Sequence, residues 1–169
     1  MLPQIFFAYF AAVITGTSIL VITRKNPVHS VIWMLVLFLH IAALYIFLNA
    51  EFLAAIQIIV YAGAILVLFL FVIMLLNLKK EETERKFQGH WALSTFAGAL
   101  FAVFLILILR KITVFPAPGQ YSIQAMQSEG NLMVIGKVLY TEYLLPFEIA
   151  SVILLVAIIG AVVLAKKKI

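Results

Sequence analysis

The chain has 169 residues, 66% hydrophobic and 11% charged, with a mean hydropathy of +1.19. Soluble domains carry about 25% charged residues, so these figures exclude a water-soluble globule and leave an all-α integral membrane protein. Cysteine is absent, which excludes disulfides and thiolate-ligated iron–sulfur clusters; the net charge of +5 sits at the ends of apolar runs, where it reports orientation rather than a nucleic-acid groove.

Five apolar stretches, at about 2–22, 28–48, 52–76, 91–109 and 147–165, reach the roughly 20 residues that a bilayer core requires. They make residues 1–169 a single membrane domain with one long external stretch at 110–146. The first stretch lacks a basic leader and is too long for a secretory signal, so it reads as a retained span. Within it Thr15, Gly16, Thr17 and Ser18 form a small-residue patch suited to close helix contact. The turn RKNPVH then supplies Asn26 as an N-cap and Pro27 at the first helical position. The second span is bulky and holds His40 near its middle. An ionisable residue there is a functional candidate, although a neutral imidazole bonded to a neighbouring helix would serve packing alone. The link through Asn49, Ala50 and Glu51 is so short that the second and third spans must form an antiparallel hairpin.

The third span, AEFLAAIQIIVYAGAILVLFLFVIMLLNL at 50–78, is the most informative part of the chain and has no acidic or basic residue after Glu51 until Lys79. Its two halves differ. Residues 65–76 are solidly large and apolar, whereas 50–64 mix Ala54, Ala55, Gln57, Tyr61, Ala62, Gly63 and Ala64 into the apolar background. Gln57 and Tyr61 are four apart and share one face of an α-helix, which Ala54 and Ala64 extend. Both polar side chains donate and accept hydrogen bonds, so they suit proton transfer between waters without bearing charge, or simple interhelical bonding. Gly63 beside Tyr61 lets the backbone leave the regular ladder. π-bulges, in which one residue is inserted into a turn, concentrate at functional sites; tight packing is the other use of such a glycine.

The charge run NLKKEETERKFQGH at 77–90 reads as a solvated loop. The fourth span carries Ser94, Thr95, Gly98 and Ala99 near one end, which is ordinary packing chemistry. In the external stretch Pro116, Pro118, Gly119 and Gly130 interrupt structure, and Leu132, Ile135, Leu139 and Tyr143 then recur at helical spacing. That spacing predicts an amphipathic helix on the membrane surface. Pro146 is expected to open the fifth span, with Glu148 in its first turn, where the helix dipole favours a carboxylate. Glu51, at the start of the third span, has the same reading. No internal repeat is evident.

The blocks NPVHS at 26–30, AEFLAAIQIIVYAGAILVLFLFVIMLLN at 50–77 and LYTEYLLPFEIASVILLVAIIGAVVLA at 139–165 resemble subunit J of bacterial proton-translocating NADH:quinone oxidoreductase, respiratory complex I. The resemblance covers nearly the whole chain, with five spans in matching order. It implies a multi-pass subunit of the bacterial cytoplasmic (inner) membrane with no cofactor, metal or catalytic centre of its own. NADH, flavin, iron–sulfur clusters and quinone then belong to the assembled complex. The implied partners are other membrane-arm subunits, especially the small ones beside the quinone chamber, together with the lipid bilayer; nucleic acid is not among them. In relatives the segment matching Tyr61, Ala62 and Gly63 holds a π-bulge or relaxes to α-helix, a change proposed to gate a water path linking quinone reduction to proton pumping.

Physically, a bulged turn rotates the C-terminal half of the span by about 100°, one residue of an α-helix. Leu66, Val67 and Phe69 then block or clear a wet passage beside Gln57, Tyr61 and Gly63. Glu51, Glu148 and His40 are secondary candidates, and His40 lies outside the shared blocks. The rival readings are the equivalent subunit of a ferredoxin-fed relative, a purely structural scaffold, and an autonomous small transporter. The last lacks an inverted repeat and a convincing buried charge pair.

Nine basic residues (Arg24, Lys25, Lys79, Lys80, Arg85, Lys86, Lys166, Lys167 and Lys168) fall on one side of these spans and three (Arg110, Lys111 and Lys137) on the other. The asymmetry places the C-terminus in the cytoplasm and the N-terminus outside. Single cysteines introduced in 79–86 or after 166 should react only with reagents applied to the cytoplasmic side, and those in 117–130 only from outside. External labelling of 79–86 in intact cells would reverse the orientation.

Overall fold

The computed structural model describes residues 2–76, 91–111, 126 and 128–166. The charge run at 79–86, Pro116, Pro118, Gly119, Lys167 and Lys168 lie outside the described residues. Every described element is helical: α1 (Leu2–Thr23), α2 (Pro27–Phe47), α3 (Glu51–Leu75), α4 (Trp91–Lys111), α5 (Asn131–Thr141) and α6 (Leu144–Ala165). All but α5 contain a stretch long and apolar enough to cross a membrane, which gives the five expected spans in the expected order.

Local chemistry explains the first hairpin. The Asn26 side chain accepts the Val28 N–H at 2.9 Å from an extended backbone, and Pro27 follows at the first helical position, where its missing N–H has no intrahelical acceptor anyway. Beside this turn the Arg24 guanidinium lies 5.7 Å from the centre of the Trp33 ring. At its other end α2 closes in a Schellman motif. The Asn49 N–H donates to the Ile46 carbonyl at 3.0 Å, the Ala50 N–H to the Tyr45 carbonyl at 2.8 Å, and Asn49 takes the left-handed conformation at φ 59°. Asparagine tolerates that conformation better than other residues with a Cβ. One residue later, past Ala50 at φ −106° and ψ 57°, α3 begins, so the hairpin expected from the short link is present.

Helix α2 is the spine of the packed unit, with α1 against it on one side and the length of α3 on the other. Phe6 and Phe10 of α1 pack against Phe47, with ring centres 5.4 Å and 6.2 Å away. The buried positions are few and mostly small: Phe10 and Thr17 on α1, Val31 and Ala42 on α2, Ala54, Gln57, Ala62 and Leu66 on α3. Small side chains let helices approach closely in a solvent as apolar as leucine. The Thr17 hydroxyl donates within its own helix, to the Val13 carbonyl at 2.7 Å and that of Ile14 at 3.1 Å, so its burial leaves no donor stranded.

Two expectations need correction. Helix α6 begins at Leu144 rather than at Pro146, because proline is tolerated throughout a first turn whose N–H groups lack intrahelical partners. Glu148 consequently sits one turn inside the helix, beyond the range where the dipole stabilises a carboxylate. Helix α5 forms where its periodicity predicts and carries Leu132, Ile135 and Leu139 of the expected stripe, but not its last member. Leu132 is exposed, and Tyr143 lies past the end of α5 as the N-cap of α6. Helix α5 contacts α6 and the start of α3, with Tyr140 edge-on to Phe147 at 5.1 Å. Its exposed Lys137–Glu129 ion pair, at 2.6 Å, contributes about 0–1 kcal/mol.

The left-handed turn at Asn49 is directly testable. Asn49→Val should destabilise the purified subunit in mixed micelles by about 1–2 kcal/mol relative to Asn49→Gly, because only the valine carries a β-branched Cβ into that conformation. Equal unfolding midpoints for the two variants would rule the turn out.

Candidate functional site

The third span changes winding in mid-membrane. It is α-wound over Glu51–Ile56, π-wound over Gln57–Ile65 and α-wound again over Leu66–Leu75. The Leu66 N–H reaches back five residues to the Tyr61 carbonyl, the π pattern. The flanking residues Ile56 (φ −59°, ψ −43°) and Leu66 (φ −69°, ψ −36°) keep right-handed helical angles, so the extra residue widens the helix without breaking it. Gly63 has a local reason to be glycine. A Cβ at that position would stand 3.3 Å from the Ile58 carbonyl oxygen, five residues back in the same widened turn and closer than ordinary contact.

The winding resets which side chains face inward. Ala54, Gln57, Ala62 and Leu66 are buried, at successive spacings of three, five and four. A regular α-helix would instead have placed Tyr61 and Ala64 with Gln57. The shared Gln57–Tyr61 face read from an α-helical period is therefore not the face this structure forms. Gln57 is 7% exposed while Tyr61 is 45% exposed, its ring set edge-on to Phe38 of α2 at 5.9 Å. Leu66 is 5% exposed and closes the buried stripe, whereas Val67 and Phe69 point outward at 57% and 47%.

The secondary candidates lie apart from this segment. Glu51 is exposed in the first turn of α3, and Glu148 is exposed on α6, where its carbonyl accepts the Ser151 hydroxyl at 2.7 Å. His40 is half-buried between α2 and α1. Its Nδ1 stands 2.8 Å from the Val36 carbonyl, which can only accept, so Nδ1 carries the proton; Nε2 is left as the acceptor for the Tyr9 hydroxyl at 3.4 Å. Tyr9 and Phe38 were not singled out by sequence pattern because each acts across a helix pair. Ala62, named in the sequence as part of the small-residue half, was not placed on the Gln57 face because only the five-residue spacing of a π turn brings it there. Asn131, whose side chain reaches the start of α3, was missed because its partners are about eighty residues distant in the chain. Among the described residues no group of three potential metal ligands assembles.

A polytopic helical membrane protein whose central span carries a π-wound segment between two α-wound halves is the class that the fold and site define. The chain matches residues 17–164 to the profile of NADH-ubiquinone/plastoquinone oxidoreductase chain 6, and it belongs to that family. It is 42% identical to NADH-quinone oxidoreductase subunit J of Rickettsia conorii, over 97% of this chain and 80% of that protein. It is 39% identical to NAD(P)H-quinone oxidoreductase chain 6 of a Synechocystis species, over 95% and 79% respectively. Against NADH-ubiquinone oxidoreductase chain 6 of Cyanidium caldarium the identity is 36%, over 97% and 84%.

The π register makes opposite demands on two alanines. Ala62→Leu should overpack the contact with α2 and destabilise the purified subunit in lipid nanodiscs by about 1–3 kcal/mol, while Ala64→Leu stays near neutral. The reverse order would mean that α3 rests in a regular α-helical register.

Proposed function

We propose that this chain is a membrane-arm subunit of a proton-pumping NADH:quinone oxidoreductase, in which α3 acts as a two-state gate coupling quinone reduction to proton movement. The observation that carries this reading is the π-wound segment Gln57–Ile65 in mid-span, through which the buried stripe of Ala54, Gln57, Ala62 and Leu66 runs. The names of the relatives support the assembly: all are quinone oxidoreductase subunits or chains.

The gate works by exchange of register. In the π form Ala62 and Leu66 share the inner face with Gln57, and Tyr61 stands outside it. Relaxing to α-helix turns one half relative to the other by about 100° and draws Tyr61 toward the Gln57 side. The phenol and the amide then line one face and can hold a chain of water, while Leu66 withdraws and Val67 and Phe69 sweep to new positions. Neither side chain needs to ionise, since each both donates and accepts hydrogen bonds. The bias between the two windings comes from contacts that differ between them, supplied by neighbouring subunits as quinone is reduced. NADH, flavin, iron–sulfur clusters and quinone are held by other chains of the complex, and this subunit contributes no catalytic centre. We place it in the bacterial cytoplasmic membrane with its C-terminus inside.

Gly63 tests the gate. In the π form a Cβ there stands 3.3 Å from the Ile58 carbonyl oxygen; the gate reading has the α form relieve that contact, a bias on the order of 1 kcal/mol, which is about fivefold in population. Gly63→Val should therefore lower quinone-linked turnover and pumping several-fold in complexes that assemble and still pass electrons from NADH to artificial acceptors. Tyr61→Phe should act in the same direction more mildly, because water replaces part of its hydrogen bonding. Unchanged rates in both assembled variants would reduce α3 to scaffold.

A further inference from the structure

We infer that Asn131 is a positioning residue for this gate: it clamps the N-terminal part of α3 in place, so that only the part beyond Gln57, from Tyr61 through Leu75, turns when the winding changes. The inference rests on the gating function proposed above. Helix α3 starts without a cap of its own, since its N-cap residue Ala50 has no side chain able to accept a hydrogen bond. The missing acceptor comes from another element. The Asn131 Oδ1 accepts the Phe52 N–H at 3.4 Å, and the same amide's Nδ2 donates to the Asn49 carbonyl at 3.3 Å. One side chain thus bridges the first turn of α3 and the left-handed residue that ends the α2 hairpin.

The clamp is held from behind. Asn131 opens α5, and Gly130 before it has φ 87°, a conformation that a residue with a Cβ rarely adopts. The far end of α5 is tied to α6, where the Glu142 and Tyr143 N–H groups share the Val138 carbonyl at 2.9 Å and 3.1 Å and Tyr140 packs on Phe147. Helix α6 is therefore joined through α5 and Asn131 to the base of α3.

A change of winding must move one half of α3 past the other by about 100° and about 1.5 Å. The two Asn131 bonds are already long, and a further displacement of that size carries them beyond hydrogen-bonding distance. Turning the N-terminal half would also disrupt the Schellman turn at Asn49. The other half has no such restraint among the described residues: Leu76 ends it with a single bond back to the Val72 carbonyl, and most side chains from Val67 onward are exposed.

The test uses the assembled complex in membrane vesicles. Single substitutions Leu53→Cys, Ala55→Cys, Val67→Cys and Phe69→Cys are labelled with a water-soluble maleimide, at rest and during NADH:quinone turnover, and this subunit's modification is read by mass. With Asn131 intact, labelling at 67 or 69 should change several-fold between the two conditions, while 53 and 55 stay constant. In Asn131→Ala the change should spread to 53 and 55, and pumping per electron should fall. Asn131→Asp keeps an acceptor for the Phe52 N–H and should restore the confined pattern. Asn131→Leu carries the same expectation as alanine, so either one that assembles decides the matter. A change still confined to 67 and 69 without the amide overturns the clamp and leaves the gate standing. No state-dependent labelling anywhere in α3 with Asn131 intact overturns the gate, and the clamp with it.

Discussion

In hydrocarbon an unpaired backbone amide costs several kcal/mol, so a spanning helix can change shape only by exchanging one complete hydrogen-bond ladder for another. That constraint gives the π-wound segment of α3 its importance. A kink or break at the same depth would strand donors and acceptors in lipid, whereas the π ladder keeps them paired and still inserts a residue into the turn. The right-handed angles at Ile56 and Leu66 show the insertion absorbed without interruption. Two windings of similar hydrogen bonding differ mainly in side-chain register, and neighbouring chains can bias register through modest differences in contact.

Register has consequences only when there is a fixed surface to read it against, and α2 is that surface. Asn26 and Pro27 set where α2 begins, and the left-handed Asn49 sets where it ends, so its phase relative to α3 follows from two short turns. Small residues at Ala42, Ala54 and Ala62 bring the helices close enough for one side chain to matter. Thr17 and His40 add polar atoms to the neighbouring α1–α2 seam; Thr17 bonds within its own helix, and His40 links the pair through Tyr9.

Much of this was legible in the residues. The five spans, the Asn26 cap and the tight second hairpin follow from hydropathy and turn chemistry, and both Gly63 and the contrast between the halves of the third span pointed to its middle. What was not legible has one common cause. Periodicity arguments assume a period, and the Gln57–Tyr61 face was drawn on 3.6 residues per turn where the backbone runs wider. Glu148 was misplaced by a smaller error of the same kind, since Pro146 marks the vicinity of a helix start without fixing the first residue. Asn131 reads as an unremarkable polar residue after a glycine, because its meaning lies in Phe52 and Asn49, far off in the chain.

The asymmetry of α3 can be argued a step further from composition. Between 65 and 76 every residue is a large apolar one, so rotation of that half about its axis exchanges one hydrocarbon surface for another and leaves no polar group stranded. Rotation of the half before it would carry Gln57 out of its buried position and drag Glu51 along the membrane boundary, and both movements oppose the cost of placing polar groups in lipid. The half that the proposed Asn131 clamp restrains is thus also the half whose rotation the membrane penalises. The uniformly apolar half, poor in features as a sequence, is suited to movement by that uniformity. Its bulky side chains supply steric contrast between positions without chemical preference among them, which is what the proposed gate requires.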